Sequence, residues 1–452
     1  MPEELRALAG FVCNFKLEDA DERTIDKARR CILDSLGSAL GAAKSEEVRN
    51  IGKTYREWCG TGDNGKTADA WVQGCRPGFF SALMVNGVMS HELEMDDVHT
   101  HSKSHIGAVV IPAAWTLADA IGADGRQFLE SVIVGYEVMA RVGLGMDVSS
   151  NRKKGWHATG ILGTFGAAAA AARLLKLNEE QTASALGLAG TQSSGLWAFL
   201  AEGATCKKLH PARSIVNGVS ACLLSMSGMT GPVHILDAED GGLYKAVSDS
   251  YDMSKLTTGL GESFEINNMD KKPYPCCRTT HHAIDAALAL RDELDVDEIK
   301  SVLVETYDVG VLQCGFTKYP ETWVEAKFSI PFTCAAAFVN GRVTISEFSK
   351  DVISDPRVER IAKATTVVAD DLFTERYPKR WGSRMTVTMN DGTKLVKQID
   401  DMSGSLAVPL SAKQEADKFI GLTAPVMGEE RANKIMEAVL RIEELDRLPN
   451  LA

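Results

Sequence analysis

GWHATGILGTFGAAAAAARLL, residues 155–175, sets the character of this chain. Beyond a Gly-bounded turn its small and apolar residues run to Arg173 without a charge, and small side chains let a helix lie close against its neighbours. On both sides of it, from Ala20 to about Leu200, apolar patches recur at three-to-four residue spacing, broken by Gly, Asp and Asn. The spacing predicts helices at 25–42, 79–91, 107–120, 122–140, 160–175 and 180–190. After about Gly261 the texture changes. Residues 299–307, IKSVLVETY, alternate β-branched with polar side chains as a half-buried strand does. RMTVTM at 384–389 and the run 394–397 flank Asn390-Asp391-Gly392, a strong hairpin-turn signal. Helical patterns at 329–340 and 346–354 lie between, and 411–448 is helical again. The expected fold is mostly α: a large all-helical domain, 1–266 plus 403–452, interrupted by a smaller α+β domain at 267–402.

The chain has 452 residues, 45% hydrophobic and 24% charged, enough for a sizeable core and unlike a disordered chain. With 49 basic against 61 acidic residues the net charge is −12, which argues against broad binding to nucleic acid or to anionic membrane. The ten cysteines are scattered except for adjacent Cys276 and Cys277, which lack the spacer of a zinc knuckle; they are expected to be reduced thiols of a cytoplasmic protein. The first residues have no signal-peptide layout, and no apolar run reaches membrane-spanning length.

Four polar clusters interrupt this apolar text. The densest is HELEMDDVHTHSKSH, residues 91–105, holding four of the nine histidines. If the preceding helix continues to Asp97, Glu94 and Asp97 share a face, with His91 one turn back. A solvated helix end would be polar too. A metal site on His99, His101 and His105 with Asp96 or Asp97 is the rival reading, but the spacing matches no specific metal motif, and no metal is expected. The second cluster is GWHATG, 155–160, which puts His157 at a helix N-terminus, where the dipole favours an anion and a neutral imidazole. The third is EGATCKKLHPARSIVNG, 202–218, where Lys207 or Lys208 would hold a substrate carboxylate unless the pair is only a basic start to a helix. The fourth is DKKPYPCCRTTHHAIDAAL, 270–288. Its prolines fix an extended backbone around Tyr274, and Arg278, His281 and His282 follow on a helix at a natural cleft edge.

Together the four clusters resemble the MmgE/PrpD family over essentially the whole chain. The family's H-x-L-D-x-D-D-T followed by H-P-x-G is similar to His91 through Val98 and His105-Ile106-Gly107. Its G-x-H-x-T-G matches Gly155 to Gly160, and its T-K-x-L-H matches Cys206 to His210 except at the Thr. Its K-x-Y-P-x-C-x-x-T-H matches Lys272 to His281 at every fixed position, and E-A-K-F-S-I-P appears at Glu325 to Pro331. The resemblance implies a helical domain with an α+β lid, a cleft between them, a homodimer, and no metal or organic cofactor. It carries active-site roles onto Glu94, His105, His157, Lys207 and Lys272, with Tyr274, Arg278 and His281 nearby. Departures gather in the first motif: Glu94 for Asp, Val98 for Thr, Ile106 for Pro, and a loop from Asp97 to His105 one residue longer.

The family reactions imply a carbanion-like species beside a carboxylate, and cations must stabilise the second charge. Lys207, Lys272 and Arg278 suit that need, and His157 or His105 suits the base. Dehydration further needs an acid, for which Glu94, Asp97 or the second His would serve. The first expectation is a dehydratase-type lyase acting on a small di- or tricarboxylate such as 2-methylcitrate. Epimerisation of an iminodisuccinate-like substrate comes next, then cis-aconitate-type decarboxylation. A non-catalytic ligand-binding homologue is opposed by retention of both histidines and both lysines.

Overall fold

A computed structural model describes residues 2–59, 65–316 and 318–452. It is mostly helical and contains two compact units. The first comprises residues 1–197, 206–269 and 411–452; the second comprises 198–205 and 270–410.

At the centre of the first unit, helix Ala158–Leu174 is buried at every position except Arg173. It packs against helices Gly107–Ile121, Gly125–Leu144 and Leu209–Met226. Its small residues permit the approach: a Cβ added at Gly166 would lie 2.8 Å from Met139 Cβ, and one at Gly218 of the neighbouring helix 2.6 Å from Thr164 O. Helices Glu22–Gly41, Phe79–Glu92 and Glu179–Gly190 surround this centre, and the C-terminal helices Ala412–Met427 and Glu429–Val439 belong to the same unit. The pattern expected to begin at Gly122 starts instead at Gly125. Gly122 takes the left-handed conformation, φ 72°, that closes the preceding helix, and the Asp124 carboxylate caps the next by accepting from Gln127 N.

The second unit holds a four-stranded sheet in the order Thr365–Ala369, Ile299–Thr306, Ser383–Met389, Lys394–Ile399. The first pair is parallel and the others antiparallel. Ser383–Met389 alternates buried and half-buried residues, as a strand with one face on a core must. Helices His281–Arg291 and Ile330–Asn340 pack on each other, and the former lies against the hairpin. The pattern at 346–354 divides into a 3-10 turn, Ile345–Phe348, and a short helix, Lys350–Ile353, each with its own cap. The parallel strand Thr365–Ala369 was not anticipated. Five residues following a helix carry too little alternation to announce themselves, and the ladder to Val302–Thr306 supplies the order.

Among the described residues no helix is long and apolar enough to cross a membrane. All ten cysteines are free thiols.

Candidate active site

Helix Phe79–Glu92 ends sooner than the continuous-helix reading requires, so Glu94 and Asp97 do not share a helix face. Leu93 closes the last turn, and Glu94 adopts φ 58°, the left-handed region in which a residue with a Cβ costs roughly 1–2 kcal/mol. The turn aims the Glu94 side chain at Lys207, whose Nζ donates to both carboxylate oxygens at 2.7 Å. Both residues are buried. Lys207 lies in the 3-10 turn Thr205–Lys208 that starts helix Leu209–Met226. Lys208, its neighbour, donates elsewhere, to Glu47 Oε2 at 2.7 Å and to Glu92.

Asp96, fully buried, joins two imidazoles. Its carboxylate lies 2.9 Å from His91 Nδ1 and 2.9 Å from His105 Nδ1. Burial alone would raise its pKa, but the two histidines hold it well below the usual carboxylate range. An ionised carboxylate only accepts, and His105 Nδ1 also faces the Asp97 carbonyl at 3.0 Å, so each ring carries a proton on Nδ1. Nε2 is then the nitrogen on the side of each ring facing away from that carboxylate. His91 Nε2 lies 3.5 Å from Glu94 Oε1, and the His91 and His105 rings meet edge to face at 4.6 Å.

His157 sits at the N-cap of helix Ala158–Leu174. Its Nδ1 is 2.8 Å from His210 Nδ1, and Trp197 stands edge-on to its ring at 5.4 Å. Burial first, then His210, Lys207, His91 and His105, push its pKa well below the usual imidazole value. Burial, His91 and Lys207 bring His210 down to about 4. His157 is therefore a neutral ring at pH 7, as a base must be before it accepts a proton.

Asp97 is held away from these rings. Its Oδ1 accepts from Gly107 N at 2.9 Å and its Oδ2 from Tyr136 Oη at 2.7 Å. Burial and then Asp34 raise its pKa to about 7, against the lowering hydrogen bonds of Tyr136 and Gly107; Asp96 adds to the rise. Between about pH 4 and 7 the folded state thus holds a proton that the unfolded chain has lost, so this group's stabilisation declines as pH rises through that window. Asp97→Asn should flatten the fall in stability between about pH 4 and 7 in urea titrations. The share due to Glu137, which burial likewise raises to about 7 against the pull of Arg141, would remain. An unchanged slope would show that Asp97 is ionised throughout.

The loop from Asp97 to His105 is pinned by His99. His99 Nδ1 bonds Ser102 Oγ at 2.8 Å and its Nε2 bonds Glu265 Oε2 at 3.1 Å. Despite its burial Glu265 is pulled down to about 2 by the hydrogen bonds of His99 and Asn268. The His99 and His101 rings meet edge to face at 5.8 Å, but among the described residues they do not converge with His105 into one group of ligand atoms. Among the described residues one trio, His91, Asp96 and His105, offers ligand atoms within 4.8 Å of one another, and its two Nδ1 atoms both face the Asp96 carboxylate. Helix Gly107–Ile121 leaves the loop at Gly107, where an added Cβ would stand 2.0 Å from Ser35 Oγ and 2.7 Å from Asp97 Oδ1. Gly107→Ala should lower stability by about 1–3 kcal/mol, read from the unfolding midpoint; a neutral result would mean that Asp97 and Ser35 can move aside.

In the second unit the fourth cluster forms a network of its own. Arg278 Nη1 lies 3.2 Å from His281 Nδ1 and donates to Ser403 O at 3.0 Å, while Nη2 reaches Asp270 at 3.3 Å. Tyr274 donates to Asp285 at 2.7 Å, and its ring meets His281 edge to face at 5.1 Å. Lys272 is fully buried. Burial first, then Arg278 and Lys272, keep His281 neutral.

A model of the MmgE/PrpD N-terminal domain matches residues 6–256, and one of the MmgE/PrpD C-terminal domain matches 274–443. The chain belongs to the MmgE/PrpD family. Its relatives include the cis-aconitate decarboxylase-like protein oryM of Aspergillus oryzae, 26% identical over 96% of this chain and 94% of that protein. Cis-aconitate decarboxylase of Mus musculus is 26% identical over 97% and 91%. The mitochondrial 2-methylcitrate dehydratase of Yarrowia lipolytica is 24% identical over 86% and 77%.

Within this MmgE/PrpD chain the structure brings His105, His157, Lys207 and Glu94 into one neighbourhood of the first unit, through His91. Lys208 and Asp97 engage other partners. Asp96 and His210 were not singled out from the sequence as supports of those rings. From the sequence Asp96 is a candidate only for the rival metal set, and the His-x-x-x-x-Asp interval is the one local signal of its bond to His91.

Proposed function

We propose that this MmgE/PrpD-type enzyme is a cofactor-independent lyase. It removes a proton beside a carboxylate of a small di- or tricarboxylate and expels water, with 2-methylcitrate as the model substrate. The observation that carries the reading is a buried His157 in one cluster with His91 and the Glu94–Lys207 pair. Abstraction next to a carboxylate builds a second negative charge, and a preorganised cation in a buried site is the arrangement such a transition state needs. In this reading His157 is the base and His105, oriented by Asp96, is the proton donor to the departing hydroxyl. Glu94 tunes Lys207, and Lys272, Tyr274, Arg278 and His281 serve the substrate carboxylates.

Decarboxylation of a cis-aconitate-like substrate is the second reading. Two observations favour it: the decarboxylase relatives match nearly the full chain, and Glu94 is tied to Lys207 rather than placed as a spare acid. Incubation with 2-methylcitrate, cis-aconitate and iminodisuccinate in deuterium oxide, followed by NMR, tests both. Loss of water from 2-methylcitrate is the expected result, and release of carbon dioxide from cis-aconitate would move the assignment to the second reading. Deuterium exchange into iminodisuccinate with neither loss would replace both with epimerisation. A stoichiometric metal in the purified protein would overturn cofactor independence. A cytoplasmic homodimer completes the proposal, and a solution mass of one chain would remove the dimer.

A further inference from the structure

We infer that His157 and His210 form a two-ring proton relay, in which His210 is a positioning residue that sets which nitrogen of His157 is basic and connects it to solvent. The observation is the 2.8 Å separation of the two Nδ1 atoms. Two ring nitrogens at that distance need one proton between them, since two lone pairs or two N–H groups would repel. The rings are therefore locked in complementary tautomers. When His157 carries the proton on Nδ1, His210 accepts at Nδ1 and holds its own proton on Nε2. When His210 donates from Nδ1, His157 holds its proton on Nε2.

The surrounding backbone is built to keep the rings together. Gly195, at φ 129°, lies so close that an added Cβ would stand 3.2 Å from His210 Cγ and 3.3 Å from its Nδ1. Gly195 O also accepts from His157 N at 3.0 Å, so one residue fixes both partners. A Cβ at Gly160, on the other side, would meet Ser194 O at 2.2 Å and His210 Cβ at 3.2 Å. Ser214 Oγ donates to the carbonyls of His210 and Gly160, at 2.9 and 3.0 Å. His157 is buried, whereas His210 is partly open. The charged and titratable groups facing the pair are Lys207, His91 and, toward His157, His105. The Lys207 ammonium disfavours an imidazolium that stays in place, so a captured proton is driven onward.

The step balances as follows. His157 Nε2 takes the substrate proton and becomes imidazolium, while the C–H electron pair stays on carbon. His157 Nδ1 passes its proton to His210 Nδ1, and His210 releases its Nε2 proton to water. Both rings end neutral with their tautomers exchanged, and His157 now offers a proton from Nε2. Base-ready and acid-ready forms of His157 thus interconvert by a proton shift with no movement of the chain.

The mechanism of proton exchange rests on the proposed function; the paired tautomers do not. The full chain, labelled with 15N-histidine, is examined by long-range 1H–15N NMR with His157→Gln and His210→Asn to assign the rings. Two neutral rings at pH 7, bridged by a single Nδ1 proton, are expected; an imidazolium at either position, or Nε2–H on both, would overturn the relay. On whichever of cis-aconitate, 2-methylcitrate or iminodisuccinate reacts, His210→Asn should lower solvent deuterium exchange at the reacting carbon at least about tenfold. Free imidazole should restore exchange in His210→Ala, a rescue that a purely structural histidine would not show. Wild-type exchange in His210→Asn would refute the relay. Failure of all three substrates would count against the proposed function, and the NMR result would still decide the pair.

Discussion

His157→Gln is expected to lower kcat by about 10²–10⁴-fold, the usual contribution of a positioned general base. The effect should fall on chemistry rather than on folding. His157 stands at a helix N-cap, yet its side chain makes no capping hydrogen bond, so the start of helix Ala158–Leu174 survives its loss. What disappears is an imidazole kept uncharged by burial first and then by its neighbours, His210 and the Lys207 ammonium among them. The measurement pairs steady-state turnover with exchange of the substrate C–H in deuterium oxide, and a melting curve serves as the control. Exchange and kcat should drop together while the melting temperature moves little. A variant with wild-type kcat would remove His157 from proton transfer and point to His105, whose Nδ1 is oriented by the Asp96 carboxylate.

Lys207→Met is expected to cost about 3–5 kcal/mol of stability, because it leaves the Glu94 carboxylate buried without its cation. The cost is compounded at Glu94, where the left-handed backbone is worthwhile only while the side chain reaches Lys207. A double variant, Lys207→Met with Glu94→Gln, should regain most of that loss, since no isolated charge remains. Activity should behave differently. Loss of the cation beside the reacting carboxylate should lower kcat/KM by about 10²–10³-fold in both the single and the double variant. Denaturant unfolding and kinetics on the same proteins separate the two outcomes. If the double variant regained activity along with stability, Lys207 would be a structural partner of Glu94 and no part of the site.

Most of the helices could be read from the sequence because apolar spacing reports which face of a segment is buried. Residues 79–91 and 107–120 were placed within a residue or so of the helices found, and the Asn-Asp-Gly turn located its hairpin. The strand Thr365–Ala369 escaped, because its order comes from a parallel partner some 60 residues earlier, Val302 to Thr306. The continuation of helix Phe79–Glu92 to Asp97, on which a shared face for Glu94 and Asp97 depended, fails for a local reason. Glu94 occupies a left-handed position of the kind usually filled by Gly, and it turns the chain out of the helix before Asp97.

Candidate residues were readable as types and motifs, and their division of labour was not. Lys207 and Lys208 are adjacent and chemically identical, yet one faces Glu94, 113 residues away, and the other faces Glu47 and Glu92. Asp96 and Asp97 are adjacent too, and burial beside two imidazoles keeps one ionised while burial beside another acid pushes the other up to about 7. The sequence was enough for the family, the helical frame and the inventory of histidines, lysines and acids, because periodicity and motif spacing are local properties of the chain. Which proton each group holds was settled only on folding, since it depends on desolvation and on partners such as His157 and His210 that meet across 53 residues.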